Sequence, residues 1–236
     1  MKGLLHYQFI NYVRSYRYVP PLSLYVISLI VNYTYTPNPI LDSYALTSLY
    51  LFFVMGWFTV TLFHAEDEGQ KQLTLLHARN SRVYYMALFV IVALIGFVLS
   101  FVSVVYPIII DAFGAKTRLI HIVLGFLSHF GLVILAITLS AIFTRDLVNN
   151  RQNTWWGVLS ILLISVVIVS IKSIILQVPG IIWLLPPVHL LFEMMSSEDG
   201  IETIPVTFYL KFGWVFLYGF LCMELFIFLM KRRRSL

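Results

Sequence analysis

Histidines within apolar segments are the first side chains of this sequence that could do chemistry. His121 and His129 lie eight residues apart on one face of an apolar segment, and imidazole can ligate haem or a metal ion. Two side chains at that spacing on one helix are too far apart to share one ion. We therefore expect hydrogen-bonded helix packing at both positions, and no metal or other cofactor held by this chain.

Glu224 is an ionisable residue inside another apolar segment, about two turns before Lys231. A carboxylate facing lipid costs several kcal/mol, so Glu224 should face protein or water. We expect its partner to be His129, Lys172 or a hydroxyl group on a neighbouring helix. Two interpretations remain open, a polar contact between helices and a transport path lined by Glu224 and His129.

Motifs for nucleotide binding and hydrolysis are missing from the sequence. It has no glycine-rich loop ending in Gly-Lys-Ser or Gly-Lys-Thr, no Gly-x-Ser-x-Gly and no His-Glu-x-x-His. Cys222 is the single cysteine, which excludes an internal disulfide and a paired-cysteine zinc site. We therefore expect that this chain is not an enzyme.

The elements that must position these residues are membrane-spanning helices. Hydrophobic residues make up 60% of the sequence, charged residues make up 11%, and the mean hydropathy is +0.88, as in integral membrane proteins. The apolar runs are continuous, which excludes the alternation of a β-barrel. A bilayer core needs about 20 apolar residues per helix, so we predict one all-α transmembrane domain over 1–236 with six spans. The predicted spans are Pro20–Tyr35, Ile40–Phe63, Val83–Ile110, Leu119–Phe143, Trp155–Leu176 and Phe208–Met230.

Residues 1–19 are predicted to form an amphipathic helix on the membrane surface. Its apolar face consists of Leu5, Phe9, Tyr12, Val13 and Tyr16. Pro20 and Pro21 are predicted to break this helix before the first span. The alternative is a frayed basic terminus.

Lysine and arginine collect on one side of the predicted topology. With six spans, that side receives Lys2, Arg14, Arg17, Lys71, Arg79, Arg82, Arg145, Arg151 and Lys231–Arg234, against Lys116, Arg118, Lys172 and Lys211 on the other. This bias places both termini and the loop 64–82 of a multi-pass membrane protein in the cytoplasm. The net charge of +5 then indicates this topology and contact with the anionic lipid of the bilayer, and we expect no nucleic acid partner.

Prolines interrupt the apolar segment between the last two predicted spans. Pro179, Pro186, Pro187 and Pro205 leave pieces that are too short to cross a bilayer. Irregular backbone at membrane depth is tolerated where protein or water satisfies it. We therefore predict an extracellular re-entrant segment of one or two short helices over 177–207.

The loop 64–82 concentrates charge between two apolar runs. Its acidic residues are Glu66, Asp67 and Glu68. We place them in the first turn of a helix, where the helix dipole favours acidic side chains. Leu73 and Leu76 project from one side of that helix, Ser81 is predicted to cap the third span, and Arg82 lies at the headgroup level. A capped and partly apolar helix of this kind is suited to docking into a groove on a cytoplasmic protein.

The order of residue types in this loop has a counterpart in a known family. An acidic pair with glycine is followed by two leucines, then by Ser-Arg and an aromatic start to the next span. The residues concerned are Glu66, Glu68, Gly69, Leu75, Leu76, Ser81, Arg82, Tyr84 and Tyr85. This pattern resembles the first cytoplasmic loop of permease subunits of bacterial type-2 ABC exporters of the peptide- and drug-exporting kind. One departure is Arg79-Asn80, where the family usually has a proline before the Ser-Arg pair.

The resemblance covers nearly the whole chain and implies a half-transporter. Such permeases have a surface helix, six spans, both ends inside and a broken hairpin before the last span. It implies a second permease copy, identical or different, and a separate ATP-binding ABC subunit that binds ATP and Mg. The implied docking residues, the coupling helix, are Glu66, Glu68, Gly69, Leu73, Leu76, Ser81 and Arg82.

Hydrophobic or amphipathic substrates are expected because the spans are rich in Phe, Tyr, Val and Ile and poor in charge. Peptides such as toxins or antimicrobial peptides are our first expectation, and lipophilic drugs are the second. The alternative from another class is a membrane scaffold or channel without an ATPase. A channel of that kind would need a stripe of polar residues along several spans, and beyond Glu224, the histidines and scattered serines the sequence has none.

Overall fold

The computed structural model describes residues 2–78, 80–148, 150–172, 180–196 and 199–234, and these residues form an all-helical structure. Its helices are α1 (Lys2–Arg14), α2 (Val19–Asn32), α3 (Ile40–Phe63), α4 (Glu68–His77), α5 (Ser81–Ile109), α6 (Leu119–Ile142), α7 (Arg151–Ser170), α8 (Ile181–Leu184), α9 (Val188–Met195) and α10 (Val206–Arg234). α4 marks one end of the helix bundle, which is called the α4 end below.

Five of the described helices, α3, α5, α6, α7 and α10, are long and apolar enough to cross a membrane. The fold is therefore that of a multi-pass membrane protein. The helix that corresponds to the predicted first span is α2, and it has only 14 residues. After Asn32 the chain leaves the helix and the Asn38 N–H donates to the Ala112 carbonyl at 2.9 Å. Six crossings therefore stay a prediction.

The break between α1 and α2 lies earlier than predicted. α1 ends at Arg14, and Tyr16 takes the left-handed conformation with a φ of 55°. Pro20 and Pro21 do not end α1; they lie in the first turn of α2, where a missing N–H removes no intrahelical bond.

The predicted apolar face of α1 is divided between the protein and its surroundings. Tyr12 is buried and its hydroxyl shares a hydrogen bond of 2.8 Å with Thr61 Oγ1. Gln8, which is polar, is also buried, whereas Phe9 and Val13 are exposed. Hydrogen bonding to the bundle thus orients α1, and its exposed apolar residues are available to lipid.

α3 and α6 form the centre of the bundle, and α5, α7, α9 and α10 pack around α6. A Cβ atom at Gly125 would lie 2.7 Å from the Tyr44 ring, so glycine permits the close approach of α6 to α3. Tyr44 in turn donates its hydroxyl to the Val104 carbonyl of α5 at 3.0 Å. One aromatic side chain therefore connects three of the long helices.

Polar contacts of residues 193–196 and 199–211 lie at the end of the bundle opposite α4. The Asp199 carboxylate accepts hydrogen bonds from the N–H groups of Ile40 and Leu41 at 2.9 and 3.0 Å, and so caps α3. His121 Nε2 donates to the Asp199 carbonyl at 2.9 Å. Glu193 accepts from the ammonium groups of Lys172 and Lys211 at 2.8 and 2.9 Å.

The predicted re-entrant segment contains two short helices in its described part. α8 has four residues and α9 has eight, too few to cross a bilayer. Met194 and Met195 of α9 are fully buried, so α9 belongs to the packed interior. Residues 177–179 and 197–198 of the segment lie outside the described part of the chain, and insertion into the outer leaflet stays a prediction.

Candidate functional site

The helix predicted in the charged loop is α4, and it begins two residues later than expected. Asp67 caps it, with its carboxylate accepting from the Gln70 N–H at 2.7 Å. Glu68 and Gly69 form the exposed first turn. Glu66 precedes the helix and is 4% exposed. Of the predicted docking residues in this turn, Glu68 and Gly69 are therefore accessible to a partner and Glu66 is not.

Two leucines are the prominent surface feature of α4. Leu73 is 60% exposed and Leu76 is 80% exposed, and their spacing places them on one side of the helix. Leu73 also lines an open groove of about 620 Å³ between α1 and α4. Gln70 Nε2 donates to the Tyr7 hydroxyl at 2.8 Å, which fixes α1 beside α4. The arrangement presents an apolar patch on a polar helix.

An ion pair that the sequence did not reveal anchors the other side of α4. The Lys71 ammonium contacts the Asp146 carboxylate, and their side chains are only 11% and 9% exposed. The ammonium also lies 5.8 and 5.5 Å from the ring centroids of Tyr84 and Tyr85, within cation–π range. In the sequence, Lys71 is only one of the positive charges on the predicted cytoplasmic side. No local signal pairs it with Asp146, which lies 75 residues away.

Glu66 is a second anchor of α4, and its predicted role in ATPase docking stays a prediction. Its carboxylate accepts from the Tyr84 hydroxyl at 3.0 Å, and its backbone carbonyl accepts from Arg145 at 3.2 Å. Burial raises the pKa of Glu66, and the hydrogen bond from Tyr84 opposes that shift. Glu66 thus connects the start of α4 to α5 and to the segment after α6.

The start of α5 differs from the prediction in its cap. Asn80, not Ser81, is the capping residue, and its side chain accepts from the Arg82 N–H at 3.0 Å. Ser81 is the first helical residue. The Arg82 guanidinium donates to the Glu224 carboxylate at 2.5 Å. This pairing, across 142 residues of sequence, replaces the expected partners of Glu224.

His129 does not lie with Glu224. It is fully buried in α6, where Nε2 shares a hydrogen bond of 3.0 Å with Thr47 Oγ1 of α3 and Nδ1 contacts the Gly125 carbonyl at 2.7 Å. In the described structure His129 and Glu224 therefore have different hydrogen-bond partners, and a transport path lined by them stays a prediction. Within the described ranges, no group of three or more His, Cys, Asp or Glu side chains is placed to hold a metal ion.

The fold is that of a multi-pass helical membrane protein. Its distinguishing feature is the polar helix α4, which is fixed to one end of the bundle. Comparison with protein-family models, curated proteins and solved structures gives no match to this chain. Its function must therefore be inferred from the chemistry and geometry of the site.

Proposed function

We propose that this chain is the membrane subunit of an ATP-driven exporter and that α4 docks into a groove on a separate ATPase subunit. The observation that carries the proposal is the exposure of Leu73 and Leu76 on a helix whose opposite side is anchored by Lys71 and Asp146. Fully burying a leucine is worth about 1.5–3 kcal/mol. Two leucines on one helical face therefore supply the apolar anchors typical of helix-in-groove recognition.

The anchors of α4 supply the second requirement of such a transporter, a mechanical link to the membrane helices. Lys71 holds α4 to the segment after α6, and Glu66 holds its start to Tyr84 of α5. Because both contacts are largely buried, they resist displacement of α4 relative to the bundle. A pull on α4 by an ATPase would thus be transmitted to α5 and α6. ATP and Mg belong to the ATPase in this proposal, and a second permease copy completes the transporter.

The first test is co-purification with ATPase subunits encoded beside this chain. Leu73→Asp and Leu76→Asp, singly and together, should weaken the complex, each by about tenfold or more if each leucine contributes roughly 1.4 kcal/mol or more. Gln152→Asp is the matched control, because it adds the same charge at an exposed position near the start of α7, away from the proposed docking face. ATP hydrolysis in the purified complex should respond to substrate only where docking persists.

A complex that survives both leucine substitutions would refute docking through α4. Purification of the chain alone under gentle conditions, with every neighbouring ATPase tried, would favour a membrane scaffold or channel instead.

Amphipathic peptides are the proposed cargo, with lipophilic drugs second. Support comes from the exposed side chains of the membrane helices, which include Leu94, Phe101, Leu163 and Phe220 and offer an apolar surface. Cells with and without the transporter should differ in sensitivity to membrane-active peptides. Equal sensitivities across a peptide panel would contradict this assignment.

A further inference from the structure

A recess opens at the α4 end, between the α1–α2 turn, the end of α3 and the segment before α7. Its volume is about 370 Å³. Six residues of its lining matter here: Arg17, Trp57, Thr61, His64, Arg145 and Trp155. Two guanidinium groups beside two indole rings combine positive charge with the aromatic side chains typical of a membrane interface.

Hydrogen bonds to backbone atoms orient both arginines. Arg17 Nη1 donates to the His64 carbonyl, and Arg145 Nη2 donates to the Glu66 carbonyl at 3.2 Å. The Arg145 backbone N–H donates to His64 Nε2 at 2.8 Å, which fixes the turn that carries Arg145. A guanidinium has five N–H donors, so one bond to a carbonyl leaves donors for an anion in the recess.

Two acidic residues also line the recess, and both are engaged elsewhere. The Glu66 carboxylate accepts from the Tyr84 hydroxyl at 3.0 Å. The Asp67 carboxylate accepts from the Gln70 N–H as the cap of α4. Although the formal charges of these four side chains balance, neither carboxylate forms an ion pair with Arg17 or Arg145 among the described residues, so both guanidinium groups keep donors for an entering anion.

An apolar groove of about 350 Å³ continues from the recess along α2, α3 and α7. Trp57 and Trp155 line both spaces, with their ring centroids 6.3 Å apart. The groove is lined further by Leu24, Phe53, Trp156, Leu159 and Leu162. Residues 155–162 of α7 rise about 10 Å, so the groove follows the membrane axis.

We propose that the recess and the groove together bind one anionic phospholipid. Its phosphate contacts Arg17 and Arg145, and one acyl chain lies in the groove between the tryptophans and Leu159. Charge-assisted hydrogen bonds from the unshared donors of the two guanidinium groups favour an anionic headgroup, and the continuous apolar lining favours a lipid over a soluble phosphate. This site is separate from the exposed face of α4 and does not depend on the proposed ATPase.

The tryptophans provide the test, because the chain has five and three line the groove. Trp183 and Trp214 contact each other elsewhere, at 5.0 Å between centroids. In a Trp183→Phe, Trp214→Phe background, fluorescence reports Trp57, Trp155 and Trp156. The protein is placed in nanodiscs of unlabelled phosphatidylcholine. Two titrations are compared, one with phosphatidylglycerol and one with phosphatidylcholine as the added lipid, and in both the added lipid has brominated acyl chains that quench tryptophan. We expect half-maximal quenching at about tenfold lower fractions of the anionic lipid, the effect of one charge-assisted hydrogen bond.

Arg17→Gln with Arg145→Gln should abolish this preference, and Arg17→Lys should retain part of it because the charge remains. Arg14→Gln is the matched control for each single arginine, since Arg14 is exposed on α1 and does not line the recess. Circular dichroism and size exclusion verify that each variant is folded. Equal quenching by both lipids, or equal loss of preference in Arg14→Gln, would overturn the proposal. Displacement of the brominated lipid by soluble glycerol phosphate would also overturn it and assign the recess to a free phosphate.

Discussion

Replacing Lys71 by methionine tests whether the buried ion pair holds α4 to the bundle. Methionine keeps the apolar stem but leaves the Asp146 carboxylate without its ammonium partner at 9% exposure. Removing one partner of a buried pair typically costs 3–5 kcal/mol, so about 3 kcal/mol is expected for this slightly exposed one. The two tyrosine rings near the ammonium add about 0.5–1 kcal/mol of cation–π attraction that is also lost.

The assay is a double-mutant cycle of Lys71→Met and Asp146→Asn in mixed detergent micelles. The free energy of unfolding is obtained by titration with a denaturing detergent, and hydrogen exchange of the α4 amides reports local opening. The double variant should be more stable than the sum of the single losses predicts, by at least about 1 kcal/mol. Exchange in α4 should accelerate roughly 300-fold or more in Lys71→Met, as the combined loss of about 3.5 kcal/mol implies.

Lys116→Met is the matched control, because Lys116 is exposed at the opposite end of the bundle and should change stability by less than about 0.5 kcal/mol. If Lys71→Met behaves like Lys116→Met, or if the cycle is additive, the inference that this pair anchors α4 is refuted.

Three further predictions concern helix contact, capping and pH. Gly125→Ala should lower stability by about 1–3 kcal/mol because its Cβ would meet the Tyr44 ring, whereas Gly213→Ala, in open space, should be neutral or stabilising; thermal melts of both variants decide. Asp199→Ala should cost about 1–2 kcal/mol by removing the cap of α3, and equal melting temperatures for variant and parent would contradict that role. Two ammonium partners lower the pKa of Glu193 below its ordinary 4.5, so its stabilising contribution is full above that pH and is lost as the pH falls through the lowered pKa; Glu193→Gln should flatten this acid dependence in melts below pH 5.

Long apolar runs were sufficient to predict five of the spanning helices. An apolar run that crosses lipid must satisfy its backbone hydrogen bonds within itself, and a helix does so. The predicted bounds Ile40–Phe63 coincide with those of α3. The first span was overestimated, because hydropathy alone does not locate the departure from the helix at Tyr33. The break between α1 and α2 was predicted too late in the chain, because a proline can either end one helix or begin the next.

The polar contacts of the site were beyond sequence reasoning. The sequence placed Arg82 at the headgroup level and Glu224 against protein or water, but their pairing depends on how α5 and α10 pack. Lys71 counted only among the positive charges of the predicted cytoplasmic side, and its burial depends on the position of Asp146, 75 residues away. Leu73 and Leu76 were found because helical spacing alone predicts a shared face.

The shortness of α2 has a consequence for the surrounding bilayer. Fourteen residues rise about 21 Å, which is roughly 9 Å less than a typical hydrocarbon core. In the predicted six-span topology, lipids beside α2 must thin, or polar residues at its ends must reach towards the headgroups, to match that length. Because Leu24 of α2 lines the groove, the thinnest membrane around this protein would lie beside that groove. Membrane thickness, and with it acyl chain length, should therefore affect the stability of this side of the bundle more than that of the α5 side.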